Sequence, residues 1–100
     1  MDNYEKLYSL LLNDSDGLLI SLRFGQEISF DKVNQILSVL SDINDEYKKS
    51  DMISKNICGL FMDFFPAIES SFSLYSSEQI HEIIEISDKI QDAMRACLFN

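Results

Sequence analysis

The chain has 100 residues, of which 46% are hydrophobic and 25% charged, with 17 acids against 8 bases and a net charge of −9. That is enough chain for one domain with a real core, and the composition excludes a disordered polymer. Without a basic surplus to release counterions, it also argues against nucleic-acid binding through phosphates and against docking on an anionic membrane.

Gly (three) and Pro (one) are scarce. A many-stranded fold would need more of both at its turns, so few, long helices are expected. Asp2 or Asn3 can cap a first helix reaching about Asn13, with Tyr4, Leu7, Tyr8, Leu11 and Leu12 as its apolar face. The stretch NDSDG breaks it. Asp14, Ser15 or Asp16 is placed to cap a short second helix, GLLISLRF, which Gly25 stops. This segment is also the best strand candidate in the chain, but nothing else could pair with it.

Ser29 starts a third helix. Val33, Ile36, Leu37, Leu40, Ile43 and Tyr47 follow at spacings of three and four, and the end is expected near Lys48 or Lys49. Ser50 or Asp51 is the expected cap of a fourth, carrying Ile53, Ile57, Leu60, Phe61, Phe64 and Phe65. Pro66 should end or kink it, leaving AIESSFSLY as a turn or loop. Ser76-x-x-Gln79 is a capping box that opens the last helix. On a helical wheel Ile80, Ile83, Ser87, Ile90, Met94 and Leu98 form its apolar back. Glu78, Glu82, Glu85, Lys89 and Asp92 form its front, with Asp88 at the edge. The expected fold is a single-domain, all-α, compact bundle of about five helices.

Chemical motifs fail one by one. His81 is the only histidine. Glu78-x-x-His81 lacks the second Glu-x-x-His of a di-iron bundle, and His81-Glu82-x-x-Glu85 lacks the second histidine of a zinc protease helix. Cys58, Cys97 and one histidine make no zinc site, and the two cysteines are expected as buried free thiols in a reducing compartment. NDSDG resembles a calcium loop, but its first and twelfth positions would be Leu12 and Arg23. There is no glycine-rich phosphate loop. No enzyme activity, metal or cofactor is expected. Nor does the N-terminal stretch look like a signal peptide or any apolar run look like a membrane span, so a cytoplasmic protein is expected.

Two acidic clusters stand out. One is the front of the last helix: Glu78, Glu82, Glu85, Asp88 and Asp92. The other is Asp42, Asp45 and Glu46, in the last two turns of the third helix, where the macrodipole is already negative and each acid costs about 0.3–1 kcal/mol. Like charges at i,i+3 and i,i+4 on the last helix cost a further ~0.2–0.5 kcal/mol per pair. A solvated, solubilising face is the bland explanation. Two same-sign clusters on a chain already at −9 point instead to a binding face for a basic partner, with Tyr47 and Tyr75 beside them as candidate anchors.

In size, acidity, all-helical pattern and absence of catalytic motifs, the chain resembles the small acidic immunity proteins of bacterial toxin systems, such as those of contact-dependent growth inhibition. The resemblance spans the whole chain and carries no diagnostic motif. It implies a single cognate toxin, a basic ribonuclease or other nuclease domain, bound roughly one to one with its active site covered. The competing expectation is a helical adaptor or secretion chaperone holding a client segment in an apolar groove, marked by an exposed apolar patch around GLFMDFFPAI. A DNA mimic would also be acidic, but −9 on 100 residues is modest for one.

Overall fold

The computed structural model describes residues 1–99 and is all-α: α1 (Asn3–Leu12), α2 (Leu18–Arg23), α3 (Phe30–Tyr47), α4 (Lys55–Ser70), a single 3-10 turn (Phe72–Leu74) and α5 (Ser77–Phe99). The start of α1 follows from its cap, since the Asp2 carboxylate accepts the Glu5 N–H at 2.8 Å. Ser29 does the same for α3 through the Lys32 N–H at 3.2 Å. The expected capping box of α5 closes in both directions: Ser76 Oγ accepts from the Gln79 N–H, and the Gln79 side chain accepts from the Ser76 N–H.

Two expected caps are not used. Gly17, not Asp14, Ser15 or Asp16, stands before α2. Asn13 takes up Ser15 through both its N–H and its hydroxyl, and Asp16 pairs with Lys32 at 3.1 Å, so these side chains are engaged elsewhere. Ser54, not Ser50 or Asp51, precedes α4. Ser50 instead closes a small turn on Met52, donating to its carbonyl and accepting from its N–H. α2 is a helix rather than a strand. It ends with Gly25 at φ 70°, with the Gln26 N–H on the Ser21 carbonyl and the Gly25 N–H on the Leu22 carbonyl, which is a Schellman ending.

Pro66 does not end α4. The helix runs four residues further, to Ser70, and the proline sits exposed on its solvent side. Together with the 3-10 turn, the stretch Lys55–Leu74 is long and apolar enough by length and composition to cross a membrane, although no apolar run in the sequence was expected to. In the folded chain its Ile57, Leu60, Phe64 and Ile68 point into the core.

α3 is the central member. α1 and α5 both pack on it and scarcely touch each other, while α4 closes the far side against α1, α2 and α5. α1 runs antiparallel to α3: Asn3 meets Glu46 at one end and Leu10 meets Gln35 toward the other. α5 runs parallel to α3, from Phe30 beside Ile83 to the Cys97 thiol, which donates to the Leu40 carbonyl at 3.3 Å. Leu7, Leu11, Leu22, Ile36, Leu40, Ile43, Phe64, Ile68 and Ile90 fill the centre. Burying each such side chain stabilises the fold by about 1.5–3 kcal/mol.

The buried stripe of α5 is rotated from the expected one. Ile86 and Cys97 are inside, and Leu98 is exposed. Tyr8 and Phe65, placed on apolar faces by their spacing, are also partly in solvent, 46% and 38% exposed, and Tyr8 leans on the Tyr4 ring at a centroid distance of 6.0 Å. Both cysteines are free thiols, Cys97 buried and Cys58 half-buried. Burial pushes the Cys97 thiol above its ordinary range.

Candidate functional site

α5 presents its acids as the wheel arranges them. Glu78, Glu82, Glu85, Asp88 and Asp92 are all exposed on the side away from Ile83, Ile86, Ile90 and Met94. Asp92 pairs with Arg95 one turn on. The only other ion pair among the described residues is Lys32–Asp16, so Glu78, Glu82, Glu85 and Asp88 form no ion pair. Glu78 lies in the first helical turn, where the macrodipole favours an acid; the others lie beyond that benefit.

Where the start of α3 meets the start of α5, a depression of about 260 Å3 opens. Its lining joins Glu27 and Ile28 of the α2–α3 loop, Phe30, Tyr75, and Gln79, Glu82 and Ile83 of α5. Phe30 is 61% exposed although it is the first residue of α3. Tyr75 is half-buried, and its hydroxyl donates to the Gln26 carbonyl at 2.6 Å. That bond fixes the ring as a wall and ties the α2–α3 loop to the entry of α5. Partial burial raises the phenol above its ordinary pKa of 10.0, so it remains a donor at neutral pH. Phe24 and Leu74, both mostly exposed, lie in the neighbouring loop and 3-10 turn. Glu27 and Phe30 escaped the sequence reading because neither belongs to a charge run or an apolar stripe; only the packing of α3 beside α5 joins them to Glu82.

The second acidic cluster sits elsewhere. Asp42, Asp45 and Glu46 are exposed at the C-terminal end of α3. Asp42 lines a depression of about 410 Å3 with Lys6 and Leu10, and Glu46 accepts a hydrogen bond from Asn3 at 2.9 Å. The cluster thus borders α1, whereas the front of α5 begins at the opposite end of α3. Tyr47 is half-buried against the core. Tyr75 therefore stands beside the α5 acids, and Tyr47 beside neither the depression nor α5's front.

A third surface is apolar. Phe61 and Met62 of α4 face Met94 and Leu98 of α5 across a groove of about 190 Å3, with Gln91 and Arg95 at its edge. Met62 is 77% exposed and Leu98 43%, and Phe65 and Phe99 are exposed on the same two helices. Among the described residues no group of three or more His, Cys, Asp or Glu side chains is gathered tightly enough to hold a metal ion. His81 is exposed on α5. Comparison with protein-family models, with curated proteins and with solved structures finds no match to this chain.

Proposed function

We propose that this chain is a binding protein that neutralises a cationic protein, as the small acidic immunity proteins neutralise nuclease toxins. The observation that carries the reading is the front of α5: four exposed carboxylates, Glu78, Glu82, Glu85 and Asp88, none of them in an ion pair. A nuclease active site is cationic because it binds phosphates. Carboxylates spaced along one rigid helix can occupy the positions of those phosphates and exclude the substrate. Their field also speeds encounter, which matters when the target is lethal. The role needs no catalysis, no cofactor and a roughly one-to-one complex in the cytoplasm.

The test is affinity purification of partners from a bacterial host, followed by a nuclease assay of any basic partner with and without this chain. A tight complex in which nuclease activity is silenced is expected. Charge reversal of Glu82, Glu85 and Asp88 to Lys should weaken that complex about a hundredfold while leaving helicity intact. An unchanged affinity would remove α5 from the interface. Matched reversal at Asp42, Asp45 and Glu46 shows whether the α3 cluster shares the contact.

The exposed Met62, Phe65 and Leu98 favour a second reading, an adaptor that holds an amphipathic client segment in the α4–α5 groove. A partner retained equally at low and high salt, and released by Met62→Asp, would select it.

A further inference from the structure

We infer that the depression between the start of α3 and the first turns of α5 is a receptor for one arginine side chain of the partner. The inference rests on the inhibitor reading and specifies where that partner is anchored. Glu27 and Glu82, far apart in sequence, converge on this depression with no base in its lining and no ion pair of their own. The other depressions differ. The one between α1 and α3 balances Asp42 with Lys6, one beside Tyr4 and Tyr8 holds the single acid Glu5, and the α4–α5 groove carries Arg95 and no acid. The remaining wall joins the exposed Phe30 ring, the Tyr75 ring, Ile28 and Ile83 to one neutral polar side chain, Gln79, whose amide oxygen is taken by the Ser76 N–H.

That pairing of surfaces selects the occupant. A purely apolar side chain would strip water from two carboxylates without compensating them. A metal ion would find two carboxylates and one amide oxygen already engaged by the Ser76 N–H, where it needs many oxygens. A guanidinium offers a fork for the carboxylates and a flat, weakly hydrated face for an aromatic ring, whereas an ammonium offers only a point charge. The Tyr75–Gln26 hydrogen bond holds the loop that bears Glu27 in place before binding, so little ordering remains when the side chain enters.

The experiment uses the full chain, labelled with 15N, titrated with the blocked tripeptide Gly-Arg-Gly, with its lysine counterpart, and with its citrulline counterpart as the neutral isostere. Saturable shifts confined to residues 26–31 and 75–83 are expected from the arginine peptide, weaker ones from lysine and none from citrulline. Phe30→Ala should weaken arginine binding about two- to fivefold, and Glu82→Gln about tenfold. Both positions are exposed, so the fold survives, and circular dichroism checks it. Equal arginine and lysine shifts spread along residues 78–92 and untouched by Phe30→Ala would overturn the receptor, as would the absence of saturable shifts. A purified partner separates the two claims. If Phe30→Ala and Glu82→Gln are silent while Glu85→Lys with Asp88→Lys weakens the complex, the receptor is discarded and the inhibitor reading stands. If all are silent, the receptor is discarded and α5 leaves the interface; the inhibitor reading itself falls only if the partner's nuclease activity is not silenced.

Discussion

The three glycines place three different demands on the chain. A Cβ on Gly17 would lie 2.5 Å from the Asn13 nitrogen and 2.7 Å from the Leu11 carbonyl, backbone atoms of the turn just left behind, which cannot rotate away. Gly17→Ala should therefore cost about 2–3 kcal/mol through overpacking. At Gly25 a Cβ would make only an ordinary contact, with Leu74 Cβ at 3.7 Å, but φ is 70°, so Gly25→Ala should cost about 1–2 kcal/mol in backbone strain alone. At Gly59, exposed within α4, nothing lies within 4 Å, and Gly59→Ala should stabilise by about 0.5–1 kcal/mol through helix propensity. Urea denaturation of the three variants checks both sign and order; a destabilised Gly59→Ala would mean that α4 is not continuous there. Gly25 was legible as a stop because a left-handed ending is a local property. Gly17 was not, because its neighbour is the backbone of another turn, and nothing in GLLISLRF records how closely the chain folds back.

Periodicity reports the existence of a helix well and its ends poorly. The stripes of α1, α3, α4 and α5 were legible because a helix must bury one face, and the capping box at Ser76 because two side chains satisfy two N–H groups locally. The candidate caps at Asp14, Ser15, Asp16, Ser50 and Asp51 were equally plausible in sequence, and tertiary demands such as the Asp16–Lys32 pair chose otherwise. The buried stripe of α5 turned toward Ile86 and Cys97 because α3 sits to one side of it, information absent from α5's own residues. Pro66 is the sharpest case: a local rule says stop, yet Ile68 is buried two residues later and anchors the helix beyond the missing donor. Pro66→Ala restores a donor for the Met62 carbonyl but loosens the unfolded chain. The gain of up to about 3 kcal/mol in helix propensity should exceed the loss of about 0.4–1 kcal/mol in unfolded-state entropy, raising stability by about 2 kcal/mol. A thermal melt checks the direction. A loss would show that the proline's ring packing outweighs its missing donor.

Across the whole molecule the charges contribute little to the fold through ion pairs. The chain carries −9, yet only two ion pairs form among the described residues, and neither involves Glu78, Glu82, Glu85 or Asp88. α5, at 23 residues, is the longest helix, and its acids from Glu78 to Asp92 spread over about 21 Å of a molecule 42 Å long, with Lys89 the one base on that front. Acids at i,i+3 and i,i+4 repel in the free chain, and the acids ending α3 oppose its dipole. Raising the salt from about 0.01 M to about 0.15 M shortens the screening length from about 30 Å to about 8 Å. The same screening should act oppositely on two readouts. The free chain should become more stable, its melting temperature rising by a few degrees, because self-repulsion is relieved. Association with a cationic partner should slow by about tenfold or more, because steering is lost. Opposite signs would mark a face on which stability yields to recognition. A melting temperature that falls with salt would mean that Lys48, Lys49, Lys89 and the other bases already compensate the acids, leaving α5's front an ordinary solvated surface and the partner's attraction to be sought in the apolar groove between α4 and α5.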